Sequence, residues 1–155
     1  YLASALPQMR TAATLGHELD HITAYLNIQQ IRMGRRLTFA IDAPAALRDA
    51  ALPPLMVLTL VENAIKHGLS PLREGGRIDV RAGVAGGRLT VQVADTGQGF
   101  TQSSGGGTGL ANTRARLASK YGAGASFSLA HNEPRGVVAT ISLPYEAAAA
   151  VGSTP

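Results

Sequence analysis

The stretch Leu58-Thr-Leu-Val-Glu-Asn-Ala-Ile-Lys-His-Gly68 decides how the rest of the chain is read. Its spacing predicts one helix. Thr59, Glu62, Asn63, Lys66 and His67 recur at steps of three and four, so at about 100° per residue they share one arc. Val57, Leu58, Leu60, Val61, Ala64 and Ile65 cover the opposite face and would pack on a core. Surface helices commonly carry a polar stripe. A carboxylate, an amide oxygen and a cation crowded side by side suit instead a site for a metal and phosphate. Pro53-Pro54 suits the opening of this helix, where an N–H is not needed, and Gly68 is expected to stop it.

Toward the N-terminus, Thr14 is placed to cap an earlier helix with apolar Leu15, Leu19, Ile22, Leu26 and Met33 at heptad-like steps, ending at Gly34. Tyr25, Ile28 and Ile31 widen that stripe, so a second packing side is expected. His17 and His21 lie four apart beside Glu18 and Asp20. No third ligand is indicated, and the four residues are read as a solvated face. Leu37, Phe39 and Ile41 alternate with polar or small residues as a first strand. Residues 1–13 carry little signal, and Pro7 interrupts any helix there.

Beyond the central helix, 69–76 reads as a loop. Ile78, Val80, Ala82 and Val84, then Leu89, Val91 and Val93, alternate as two strands joined at Gly86-Gly87, a hairpin signal. A helix from about Leu110 to Tyr121 follows, closed by Gly122. Two last strands, about 125–131 and 136–143, turn at Asn132–Gly136. The tail from Glu146 reads as frayed or partly helical. The resulting order is helix, strand, helix, two strands, helix, two strands. Hairpins on both sides of the last helix imply an α+β fold, a two-layer sandwich with a mostly antiparallel mixed sheet and its helices on one face.

Composition narrows the possible functions. The 155 residues, 45% of them hydrophobic, suffice for one domain with a real core. There is no cysteine, hence no disulfide or thiolate metal site, which fits a reducing compartment. No run reaches the roughly 20 apolar residues of a membrane span. The chain begins without methionine and is expected to be a piece of something longer. Its net charge of +4 raises a nucleic-acid reading, but the arginines are scattered and only 5% of residues are aromatic, too few for a base-stacking platform. No nucleic-acid partner is expected.

Two glycine loops follow the central helix. Asp95-Thr-Gly-Gln-Gly-Phe100 ends a strand with a carboxylate beside Gly97 and Gly99. Glycine lets a planar ligand approach the backbone, and the carboxylate can accept from an exocyclic amine such as adenine N6. Gly105, Gly107 and Gly109 alternate just before a helix, where bare N–H groups and the helix dipole favour phosphate. The dinucleotide-binding fingerprint does not fit this spacing, and no glycine is followed by Lys-Ser or Lys-Thr as in a P-loop.

Taken in order, ENxxKH, DxGxG and GxGxGLxNxxxRL resemble the N, G1 and G2 boxes of the GHKL ATPase superfamily. Within it, AYLNIQQIRMGRRL (24–37) is similar to the run preceding this domain in LytS-type sensor histidine kinases. The resemblance covers about residues 14–144. It implies the Bergerat-type sandwich, with residues 1–35 joining an upstream dimerisation and phosphoacceptor segment, 36–145 as the catalytic domain and 146–155 as tail. It implies ATP and Mg²⁺ as cofactors and transfer of the γ-phosphoryl to a histidine. By the same resemblance, Asn63 would ligate Mg²⁺, Glu62 would polarise or orient the nucleophile, and Lys66 and His67 would approach the phosphates. Asp95 would take the adenine amine in a pocket shaped by Gly97 and Gly99. Gly105, Gly107, Thr108, Gly109 and Leu110 would form the lid over the phosphates, with Asn112 one turn behind.

The chain departs from that pattern in three ways. None of His17, His21, His67 and His131 has the proline–histidine–phenylalanine context of the family's phosphoacceptor, so the acceptor is expected upstream of this sequence. The last strand begins Gly136-Val137 where the superfamily often has Gly-Thr. A phenylalanine-rich box between the G1 and G2 boxes is missing, as in LytS-type kinases. The resemblance further implies a homodimer formed through the upstream segment, a response regulator as partner, and a cytoplasmic position under an inner-membrane sensor. The rival readings are a non-catalytic nucleotide-sensing module of the same fold and another GHKL ATPase of the anti-sigma serine kinase kind.

Overall fold

The computed structural model describes residues 13–100 and 108–148. The expectations for Pro7, for Gly105 and Gly107 and for the tail beyond 148 lie outside those residues. Helix α1 (Leu15–Met33) starts at Thr14, whose hydroxyl accepts the His17 N–H at 3.2 Å, and ends at Gly34 with φ 61°. Strand β1 is Leu37–Asp42 and helix α2 is Met56–Asn63, continued by a wider π-helical turn, Ala64–Leu69. Strands β2 (Gly76–Ala85) and β3 (Arg88–Asp95) form a hairpin through Gly86 and Gly87, both at positive φ, as its two-residue loop demands. Helix α3 is Thr108–Tyr121, and β4 (Ser126–His131) and β5 (Val137–Pro144) close the chain.

The sheet runs β1-β2-β3-β5-β4, with β1 parallel to β2 and every other pairing antiparallel. Alternation in the strands becomes a buried face: Ile78 and Val80, then Leu89, Val91 and Val93, then Ala139, Ile141 and Leu143. The stripe of α1 and the apolar face of α2 close over it, joined by Leu117 of α3, in one core. The expected α+β sandwich with helices on one face is thus the architecture of the chain. Ile28 and Ile31, the second side of α1, are 63% and 86% exposed.

Three local expectations change. Glu18 does not belong to a solvated face. It is 3% exposed, and its two carboxylate oxygens accept the Leu55 and Leu58 N–H groups, both at 2.9 Å. His17, Asp20 and His21 are exposed as expected. Glu18 therefore caps α2 from another helix, and it braces Leu55, a non-glycine residue held at φ 66°. Pro53-Pro54 lie just before that cap.

Gly68 does not stop α2, which runs on to Leu69 with Ser70 N–H bonded to Ile65 O at 2.8 Å. The glycine serves close approach instead: a Cβ there would stand 3.1 Å from Asp95 Oδ1. Finally, the tail is pinned at its root, because Ala147 bridges Ala50, with Ala51 N–H on Glu146 O and Ala148 N–H on Asp49 O, each at 2.7 Å.

Candidate nucleotide site

A cleft opens where the C-terminal half of α2 meets the ends of β3, β4 and β5. Leu60, Asn63, Ala64, His67 and Gly68 line one wall at the i, i+3, i+4, i+7, i+8 spacing of a single helix face. Val93, Leu129, Val137 and Ala139 supply an apolar floor from three strands, and Leu110 of α3 and Phe100 after β3 complete the rim. A mostly apolar cleft with a few polar groups is the form expected for a small-molecule ligand.

Asp95 is the buried polar group of this slot, 5% exposed. Its Oδ1 accepts the Gly97 N–H at 2.8 Å and the Val137 N–H at 3.3 Å, and among the described residues nothing donates to Oδ2. Burial pushes the carboxyl above its ordinary value of 3.8, against the two N–H donors, which pull it down. An acceptor oxygen is thus held ready at the end of an apolar slot.

In the same cleft lies the Asn63 amide, whose buried Nδ2 has no hydrogen-bond partner among the described residues. Buried amide nitrogens rarely go unpaired, and one left so at a cleft marks a place for a ligand. Rotation about the last side-chain torsion exchanges the amide nitrogen and oxygen, so either can face an incoming group.

The polar arc of α2 divides. Asn63 and His67 line the cleft, while Glu62 and Lys66 are exposed beside it. Thr59 turns away, its hydroxyl donating to Leu55 O at 2.8 Å. Tyr25 of α1 stands near Glu62: burial first, then that negative charge, raise its phenol above the ordinary 10.0.

The two halves of the site are locked by the Asp95–Gly99 loop. A Cβ at Gly97 would lie 2.4 Å from Gly68 C and O, so that glycine sits behind the cleft and permits the loop to touch the helix. Gln98 completes the joint, its main-chain N–H on Gly68 O at 3.0 Å and its side-chain Nε2 on His67 O at 2.7 Å. These are carbonyls of the widened turn, which a helix end would otherwise leave open. Arg36 likewise reaches Ser70 O, Leu72 O and Arg73 O just beyond it.

Of the residues expected at the site, the structure therefore brings Asn63, His67, Asp95, Gly99 and Leu110 to one cleft, with Glu62 and Lys66 outside it and Gly97 behind it. Thr108 and Gly109 open α3, and Asn112 is exposed on it. Val137, which stands where the superfamily often has a threonine near adenine, lies on the floor. Gly68, Gln98, Phe100, Val93, Leu129 and Ala139 belong to the site without having been expected there, since strand alternation reads the same for any buried strand.

The architecture is that of histidine kinase catalytic domains. The catalytic domain of ThkA superposes with a TM-score of 0.64 at 15% identity, covering 84% of this chain and 93% of that one. ThkA in complex with the response regulator TrrA gives 0.66 at 19% identity, covering 86% of this chain and 41% of that one. The model of the histidine kinase-, DNA gyrase B- and HSP90-like ATPases matches residues 49–147, and the chain belongs to this ATPase family. Its relatives are sensor kinases. The sensor protein LytS of Enterococcus faecalis is 29% identical over 151 residues, 89% of this chain and 26% of its own length. The sensor histidine kinase BtsS of Escherichia coli K12 is 38% identical over 106 residues, 66% of this chain and 19% of its own length. The chain thus spans about a quarter or less of the relatives it matches.

Proposed function

We propose that the chain is the ATP-binding catalytic domain of a two-component sensor histidine kinase of the LytS type. It transfers the γ-phosphoryl of Mg-ATP to a histidine carried on another segment of the protein, for relay to a response regulator. The carrying observation is that one apolar slot holds both the half-bound Asp95 carboxylate and the Asn63 amide, whose buried Nδ2 no described residue partners. Neither group is explained by folding alone.

The residues present fit a metal nucleotide. Oδ2 of Asp95 takes the exocyclic amine of adenine, and Val137, Ala139 and Leu129 pack against the base. The Asn63 amide supplies an oxygen to Mg²⁺. The metal, when bound, neutralises charge on the phosphates. His67 lies on the same helix face, four residues on, and Lys66 supplies an exposed cation outside the cleft. Glu62 stands exposed next to Asn63, where it orients an incoming imidazole or receives its proton. The resemblance implies a lid formed by Gly105, Gly107, Thr108, Gly109 and Leu110, the last three of which open α3. Phosphoryl transfer needs mostly positioning and charge neutralisation, which this inventory supplies.

Among the described residues no helix is long and apolar enough to cross a membrane. On this reading the domain lies on the cytoplasmic side of an inner-membrane sensor, dimerised through an upstream segment, with residues 1–35 as the joining piece; what supports it is the likeness to sensor kinases. The structural neighbour solved with its response regulator supports the partner. Calorimetric titration with Mg-ADP tests the nucleotide site, and absence of heat sinks the reading. With the upstream segment restored, γ-³²P-ATP should leave an acid-labile, base-stable label on histidine. A chain that binds nucleotide yet never labels is a sensing module rather than a kinase.

A further inference from the structure

Asp95 closes β3, and continuing the β3–β5 register by one step sets it opposite Val137. Thr96 N–H bonds to Arg77 O in β2, so by the alternation of an antiparallel ladder the Asp95 main chain faces β5. Ladder geometry would put the Val137 N–H on the Asp95 main-chain oxygen. It goes to the side-chain Oδ1 instead, at 3.3 Å. The vacated carbonyl is filled by a side chain: Asn132 Nδ2 donates to Asp95 O at 2.8 Å.

Asn132 is itself fixed on both sides. Its Oδ1 accepts the Glu133 N–H at 3.0 Å, and its own N–H donates to Gly136 O at 2.9 Å. Gly136, at φ 116°, makes the approach possible, since a Cβ there would lie 1.9 Å from Asp95 O. The β4–β5 turn therefore substitutes an amide for one rung of the sheet and frees a backbone N–H to grip the carboxylate.

We propose that Asn132 is a positioning residue for base recognition, an inference that rests on the nucleotide reading above. By occupying the Asp95 carbonyl it keeps the Val137 N–H on Oδ1, and with Gly97 this leaves Oδ2 as the one oxygen turned to the ligand. Two N–H donors on one oxygen fix the carboxylate plane. A fixed acceptor at that point selects a purine with an amine at position 6 over one with a carbonyl, whose oxygen would meet Oδ2 acceptor to acceptor. Without Asn132, the Val137 N–H returns to the ladder, the carboxylate turns about its remaining Gly97 bond, and the preference relaxes.

The test is the ratio of affinities for Mg-ADP and Mg-IDP, the 6-amino and 6-oxo purines, measured by calorimetry on the parent, Asn132→Ala and Asn132→Asp. The Asp variant keeps the shape and the bond from Glu133 N–H while removing the donor to Asp95 O, so it reads the same contact should the Ala variant not fold. The parent is expected to favour ADP, and both variants to lose about tenfold of that preference, the worth of one well-placed hydrogen bond. A variant that weakens ADP and IDP equally, with the ratio intact, overturns the inference and leaves Asn132 a structural turn residue. A parent that binds neither nucleotide sinks the functional reading and this inference with it.

Discussion

The two ends of α2 are finished in opposite ways. At the N-terminal end the Glu18 carboxylate, carried in by α1, meets the Leu55 and Leu58 N–H groups and is itself 3% exposed. Set in the first turn of α1, it has both oxygens engaged by those two N–H groups. At the C-terminal end the helix widens, its carbonyls are taken by Gln98, and the Asn63 amide just before the wide turn keeps a buried nitrogen without a partner. One end spends its polar groups on the fold; the other holds them back. A helix can carry a site only if something else keeps it in place, and here α1 does that from the far end.

Removing the cap probes the first half of the contrast and should give the largest change. Glu18→Ala orphans two N–H groups and releases the strained Leu55, so unfolding in denaturant is expected to come about 1–3 kcal/mol earlier. Affinity for Mg-ADP, measured where the variant is still folded, should stay within about twofold, because only the distant end has changed. A tenfold fall in affinity with the fold intact would break the comparison and show that α1 tunes the site. Asn63→Ala is the converse. Its nucleotide affinity should drop at least tenfold, about 1.4 kcal/mol, while its stability stays within about 0.5 kcal/mol of the parent because no protein hydrogen bond is lost. A clear loss of stability would mean the amide serves the fold after all.

The same contrast explains what could be read from the sequence. Element order was legible because period-2 and period-3.6 patterns are written locally, and the turns at Gly34 and Gly86-Gly87 demand glycine at positive φ. The polar arc was legible for the same reason, since Asn63 and His67 fall four apart on one helix. Glu18 was not. Beside His17, Asp20 and His21 it looks like another solvated charge, and its burial is fixed only when α1 crosses the start of α2, 37 residues from Leu55. Gly68 is ambiguous in sequence because a glycine after an amphipathic run has two uses, a helix stop or a close approach, and only the fold brings Asp95 and Gly97 against it. Asn132 has no local signature either, because the rung it replaces belongs to a strand pairing that sequence does not display.

Asp95 carries the contrast to the strand facing α2, since here a group kept for a ligand should cost the fold something measurable. Burial raises its carboxyl above 3.8 in the folded chain. The folded state therefore holds its proton to higher pH than the unfolded state does, and between 3.8 and the raised value stability falls as pH rises. One such group contributes a slope of at most about 1.4 kcal/mol per pH unit. Asp95→Asn keeps an oxygen for the Gly97 and Val137 N–H groups but cannot ionise. Denaturation midpoints taken from acid to neutral pH should show the parent losing this increment of stability and the variant not, leaving Asp95→Asn equal or more stable near neutrality. Its affinity for Mg-ADP should collapse at the same time, because with the amide oxygen on the two N–H groups its NH₂ faces the adenine amine donor to donor. Matching pH slopes in parent and variant would mean that the carboxylate is at home in the fold, and that the division between the capped end of α2 and the open one does not extend to the strand facing it.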